Sequence, residues 1–263
     1  MIELGKTKRQ SIRPICEGSS EVLVRGAMDG NLGRIWVPDL TVSPYCLIVV
    51  GGFGYLLGLP PKGAGALDLK SQIYESAAAG CLYPQNERWR EWLEGEFNGH
   101  LRTVTRYALR QGKEGFDPER LRQHIKSVPQ GFRIKRVDEK LYNMVMKEEW
   151  SRDLGMGFET YKEFEPHGFG YGAVKGQKLA AGCLAYGVGE GVMEVQVKTK
   201  KEHRRQGLAL ACSSAFVLEC LEKAVIPNWN ATNQQSVELA LKLGYVYERE
   251  YQAYEILEPE ESL

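Results

Sequence analysis

TKKEHRRQGLA, residues 199–209, is the stretch on which the reading of this chain turns. Five basic side chains, Lys200, Lys201, His203, Arg204 and Arg205, fall within six positions. Gly207 follows, and an apolar run begins. Such a stretch can be a solvated charge run, a nucleic-acid patch, or a phosphate cradle at the mouth of a helix. Upstream, GVMEVQVKT (191–199) reads as a strand. Downstream, Leu208, Ala211, Cys212, Ala215, Phe216 and Leu218 form the apolar stripe of a helix from about Gly207 to Ala224. The first turn of a helix carries free N–H groups and a partial positive charge. A glycine there lets a ligand approach the backbone closely, and phosphate binds well at such an end. Flanking arginines add charge-assisted hydrogen bonds.

The whole chain supports a local ligand. Lys+Arg and Asp+Glu both number 34 in 263 residues, so the formal net charge is zero. A general nucleic-acid binder is more often basic overall, and no basic, aromatic-studded sheet stands out. No nucleic-acid partner is expected. Cysteines stand at 16, 46, 81, 183, 212 and 220 without a CxxC pair, which suggests reduced thiols in a cytoplasm. The histidines at 100, 124, 167 and 203 have no metal-like spacing, so no metal is expected. MIELGKTKRQ has no apolar signal region, and the apolar stretch around Tyr45–Val50 is too short to cross a bilayer. The expectation is a cytoplasmic protein without a membrane partner.

The first half is rich in glycine. EVLVRGAMDGNLGRIWVPD (21–39) reads as strand, turn, strand, with Asp29-Gly30 at the turn. YCLIVVGGFGYLLG (45–58) reads as a buried hairpin, its Gly51-Gly52-Phe53-Gly54 a turn rather than a phosphate loop, and PPKGAGA (60–66) as a loop. In PQNERWREWLEGEF (84–97), Trp89, Trp92, Leu93 and Phe97 share one helical face. Asp117 caps a further helix with Pro118 at its first position, and Val128-Pro129-Gln130-Gly131 ends it. The domain boundary is expected there, giving an N-terminal α+β domain over 1–130 and a second domain over 131–263. Beyond 131 the expected order is β-α-α-β-β-β-α-β-α-β, with Asp138 and Asn233 as caps and Gly244 just past a helix end.

Arg204-Arg205-Gln206-Gly207-Leu208-Ala209 fits (Gln/Arg)-x-x-Gly-x-(Gly/Ala). Asn233, Ser236, Lys242, Gly244 and Tyr245 fit Asn-x-x-(Ala/Ser) and then Lys-x-Gly-(Phe/Tyr). With the element order, these resemble the GNAT superfamily of N-acetyltransferases. A bacterial branch labelled GNAT acetyltransferase, with an extra N-terminal domain, is the most similar; Trp150, Asp153, Phe158, Phe164, Gly168 and Trp229 also fit it. The resemblance is strong over about 131–257 and looser before. It implies an α/β (α+β) chain with a mixed, mostly antiparallel sheet flanked by helices. The N-terminal domain would be an acceptor or dimer domain, or a degenerate copy of the same fold.

The resemblance further implies an N-acetyltransferase using acetyl-CoA and a small-molecule amine, by direct attack in a ternary complex. A non-catalytic acyl-CoA-binding protein is the alternative. The coenzyme arm would hydrogen-bond near Val197 and Thr199, and the pyrophosphate would land on Arg204, Arg205, Gln206, Gly207, Leu208 and Ala209. Asn233 either contacts the coenzyme or simply caps its helix, and Ser236 either touches the coenzyme or faces the first helical turn. Glu194 is the candidate base; an exposed strand glutamate is the other reading. The superfamily's usual acid is a tyrosine where this chain has Ala240. Tyr245, Tyr251 or Tyr254 are candidate substitutes, or the thiolate leaves with water's help. A homodimer is a further expectation.

Overall fold

The computed structural model describes residues 1–19, 21–76 and 80–257. The chain forms two compact units, Met1–Thr105 with Tyr251–Leu263, and Arg106–Glu250. The division falls upstream of the Val128–Gly131 loop at which the sequence suggested one.

In the first unit, β1 (Ile2–Glu3) is followed by α1 (Arg13–Cys16), α2 (Val22–Met28), β2 (Arg34–Val37), β3 (Tyr45–Val50), β4 (Phe53–Gly58), α3 (Ala64–Glu75), β5 (Cys81–Pro84) and α4 (Glu87–Glu96). The strands lie side by side in chain order. β1 to β4 pair antiparallel, whereas β5 runs parallel to β4 from Phe53↔Cys81 to Leu56↔Pro84. That parallel pair requires a crossover, which α3 supplies. Trp89, Leu93 and Phe97 are buried with Leu56, Leu69 and Leu82 in one cluster, so the tryptophan face is core as expected.

The expected strand over 21–28 is a helix. Arg9 sets its end: this buried guanidinium donates to Ala27 O (2.5 Å), Leu32 O (2.8 Å) and Gly33 O (2.7 Å), gathering the last helical turn and the following loop. Six of the seven helical residues are buried, so no amphipathic period marks the run as helical. The loop expected over 60–66 gives way to α3 at Ala64. The hairpin between β3 and β4 turns at Gly51-Gly52, as expected.

β6 (Leu101–Gln111) leads into the second unit. There follow α5 (Pro118–Lys126), β7 (Phe132–Arg136), α6 (Glu139–Lys147), α7 (Tyr161–Phe164), β8 (Gly170–Lys175), β9 (Lys178–Gly189), β10 (Val192–Thr199), α8 (Leu208–Glu222), β11 (Ile226–Ala231), α9 (Gln234–Leu243) and β12 (Tyr245–Ile256). From β7 onward this is the element order read from the sequence. Asp117, Asp138 and Asn233 cap α5, α6 and α9 through side-chain oxygens. α5 and the end of β6 belong with this unit because α5 packs on α8 and Trp229↔Leu109 to Ala231↔Tyr107 join β11 to β6. The sheet runs β6-β11-β10-β9-β8-β7, antiparallel except for β10 beside β11.

α8 is the central helix, buried on most sides. Its one buried charge is anchored: Glu219 accepts from Arg136 Nε (2.9 Å) and an Arg136 terminal nitrogen (2.8 Å), and from the Tyr171 hydroxyl (2.8 Å). A buried carboxylate is tolerated when so many donors meet it. All six cysteines are buried and free. Among the described residues no cluster suits a metal ion, and no helix is long and apolar enough to cross a membrane.

Candidate functional site

The site is built where β10 and β11 part. Their parallel register runs from Val192↔Ile226 to Glu194↔Asn228 and stops. Beyond it β10 stays with β9, from Val195↔Ala185 to Thr199↔Ala181, and β11 stays with β6. Between Glu194 and Val195 the β9 partner jumps from Gly187 to Ala185, so Tyr186 is the extra residue of a bulge at the level of the parting. A bulge bends and twists its strand locally.

The free edge of β10 can be read from its hydrogen bonds. Lys200 N–H donates to Ala180 O of the β9 side (2.9 Å), whereas Gly191 O accepts from Ile226 N–H of β11 (2.9 Å). Backbone groups of a strand alternate sides. Gln196 and Lys198 therefore face β9, and Val197 and Thr199 turn their N–H and C=O toward the gap.

Past Thr199 the chain makes a short turn at Lys201–His203 and reaches α8. Arg205 is left-handed (φ 62°) and so is Gly207 (φ 78°). Left-handed residues in a turn can aim neighbouring N–H groups toward an anion. Holding a non-glycine residue there costs about 1–2 kcal/mol, a strain that is characteristic of functional loops. No side chain caps α8; the first helical bond is Ala211 N–H to Gly207 O (3.0 Å). The N–H groups of Leu208, Ala209 and Leu210 are thus those a helix leaves unpaired. A Cβ placed on Gly207 would meet nothing within 4 Å, so the space before the helix is open. Arg204, Arg205 and Gln206 are exposed around it, with Arg204 Nε 3.4 Å from Thr199 O. Leu208 is buried beneath the turn. The turn can therefore receive a diphosphate, and the β10 edge an extended amide arm.

The remaining candidates separate. Glu194 lies at the apex of the parting, half-buried, accepting from Asn228 Nδ2 (2.6 Å) and Asn230 Nδ2 (3.0 Å) on β11. Sequence reasoning missed both asparagines, since only the β10–β11 register brings them to Glu194. Asn233 Oδ1 accepts from Ser236 N–H (2.9 Å), a cap, and the Ser236 hydroxyl takes the Trp229 indole N–H (3.1 Å). Tyr245 is not presented to the gap. It is buried, its hydroxyl donates to Pro227 O (3.2 Å), and its ring packs on Phe116 and Trp229. Burial pushes its phenol well above the ordinary value. A phenol so placed suits packing rather than proton donation. Tyr254 donates to Glu94 (3.2 Å), and Ala240 is fully buried.

A mostly antiparallel sheet flanked by helices is the architecture this chain shares with solved GNAT proteins. A family model described as GNAT acetyltransferase matches residues 13–254, and the chain belongs to that family. The Bacillus subtilis (strain 168) protein named Uncharacterized N-acetyltransferase YdfB is 25% identical over 266 residues, 96% of this chain and 97% of that one. The crystal structure of a GCN5-related N-acetyltransferase-like protein from Streptococcus suis 89/1591 superposes with a TM-score of 0.84 at 29% identity, covering 95% of this chain and 98% of that one. A tandem GNAT protein from the clavulanic acid biosynthesis pathway shares the fold at 12% identity, with a TM-score of 0.59 over 96% of each chain.

Proposed function

We propose that this chain moves an acetyl group from acetyl-coenzyme A to the amine of a small molecule, by direct attack in a ternary complex. The parting of β10 and β11 carries the reading: it leaves Val197 and Thr199 facing a gap that ends at the Arg204–Ala209 turn. In this reading the turn holds the pyrophosphate, with Arg204 and Arg205 adding charge and Gly207, Leu208 and Ala209 supplying backbone N–H groups. Gln206 borders the turn, and Asn233 and Ser236 stand at the α9 end of the site. A backbone N–H of the β10 edge polarises the thioester carbonyl. Glu194 takes the amine's proton, directly or through one water, because only a neutral amine attacks.

Calorimetric titration with acetyl-CoA, then thiol release across an amine panel, tests this. Micromolar protein and ligand are expected to give heat; silence would end the proposal. Glu194→Gln is expected to lower kcat by about 10²–10⁴-fold with coenzyme affinity unchanged. The second reading is a non-catalytic acyl-CoA-binding protein, favoured by the buried Ala240 and by the core position of Tyr245. Coenzyme binding without turnover on any amine would select it.

A further inference from the structure

We infer that the first unit is a second copy of the same fold whose coenzyme cleft is filled by its own side chains, so that each chain takes one coenzyme. The element series match. β1, two helical segments, β2, β3, β4, α3, β5 and α4 run in the order of β7, α6, α7, β8, β9, β10, α8, β11 and α9. The pairings match as well: three antiparallel steps, then one parallel step, β4 beside β5 as β10 beside β11. The fifth strand of each then has an antiparallel neighbour, β12 at Tyr254↔Leu82 and β6 at Trp229↔Leu109.

The copies differ at the point where a coenzyme would enter. β4 and β5 stay joined to the end of β4. Past the last register pair, Leu56↔Pro84, Gln85 N–H donates to Leu56 O (3.1 Å) and Gln85 Oε1 accepts from Gly58 N–H (3.0 Å). The Trp89 indole donates to Gly58 O (2.9 Å) and the Trp92 indole to Pro61 O (3.0 Å), both from α4. The polar groups that β10 leaves open are therefore satisfied internally on β4. An added strand would have to displace two buried indoles and their hydrogen bonds.

The phosphate turn is altered at the same place. Gly63 precedes α3 as Gly207 precedes α8, both with positive φ, but Gly63 (φ 57°, ψ −130°) has left the left-handed conformation that Gly207 (φ 78°, ψ 0°) keeps. Aligned on these glycines, Gly65 stands where Ala209 stands, so the Gly-x-small signature persists. Pro60 and Pro61, however, stand where Arg204 and Arg205 stand. Proline has neither the charge nor the N–H a diphosphate needs. Trp89 and Trp92 thus do for β4 what the coenzyme arm is proposed to do for β10.

Hydrogen exchange of the full chain with and without saturating coenzyme A tests this, together with the calorimetric stoichiometry. One equivalent per chain is expected, with slowed exchange over 197–211 and none over 56–66. Arg204→Glu with Arg205→Glu is expected to remove all coenzyme-dependent protection. Two equivalents, or protection over 56–66 in either protein, would overturn the inference while sparing the function proposed for β10 and α8. No binding anywhere would end that function and the one-coenzyme count together, whereas a second site ends this inference alone, so the two failures are distinguishable.

Discussion

Replacing Gly207 by alanine separates the two demands on that residue. Gly207 sits at φ 78°, and a Cβ there would touch nothing within 4 Å. The fold therefore loses only the left-handed penalty, about 1–2 kcal/mol, equivalent to ~2–4 °C in Tm per kcal/mol for a chain of this size. Binding loses more. The methyl group enters the open space before α8, where a phosphate would have to come within hydrogen-bonding distance of the backbone. Losing one charge-assisted hydrogen bond of about 1.5–3 kcal/mol weakens affinity ~10- to 150-fold. Gly244→Ala is the control. It ends α9 at φ 108°, with Phe116 3.5 Å from the added Cβ, and so incurs comparable backbone strain away from the turn. Denaturant titration and calorimetry with coenzyme A read both quantities. Gly207→Ala binding as tightly as the unaltered chain, or Gly244→Ala losing affinity equally, would refute the assignment of the turn.

Other outcomes follow from single contacts. Arg204→Ala and Arg205→Ala are each expected to weaken coenzyme A binding about tenfold, with a shallower salt dependence measured by titration at two ionic strengths. Tyr245→Phe keeps the packing on Phe116 and Trp229 but loses the bond to Pro227 O; about 0.5–1.5 kcal/mol of stability should go while thiol release is unchanged, and a collapse in turnover would restore Tyr245 as a catalyst. Glu219→Gln is expected to cost about 1–3 kcal/mol near neutrality. Burial pushes the Glu219 carboxyl up, but Arg136, Tyr171 and Lys223 together hold it below its ordinary 4.5. A lowered folded pKa contributes stability above the unfolded value and loses it as pH falls through the folded one. The gap between Glu219→Gln and the unaltered chain should therefore shrink in acid denaturation below about pH 4.5, and a widening gap would count against the network.

Legibility in the sequence followed local chemistry. The second unit could be read in order because its helices carry their own punctuation: Asp117, Asp138 and Asn233 accept from the first turns, and Gly244 closes α9 in the left-handed region. In the first unit Asn86 marks α4 in the same way, accepting from Trp89 N–H, but α2 and α3 have no such cap. α2 is buried on almost every side and is closed by Arg9 from a distant segment, so its apolar run reads equally as a strand. α3 opens at Gly63-Ala64-Gly65 with no side-chain cap, which reads as loop. β6 is mostly exposed or half-buried, with Ala108 and Leu109 its buried residues, and only its pairing with β11 reveals which unit claims its end. At the site, spacing found the glycine turn, but the Asn228 and Asn230 contacts to Glu194 depend on register and were invisible.

The basic run around the turn is less basic than its composition. Lys198 pairs with Asp153, and Lys200 lies 3.5 Å from Glu148 and 3.4 Å from Glu202. These lysines tie the end of β10 to the 148–153 segment and to the short turn, so much of their charge is answered within the protein. Arg204 and Arg205 have no carboxylate at ion-pair distance among the described residues, and they flank the open end of α8. A protein gripping a nucleic-acid duplex neutralises roughly six to ten phosphates along a surface. Two exposed arginines immediately before one uncapped helix end instead suit a compact dianion. Position, rather than the number of cations, is what supports the diphosphate role proposed for this turn.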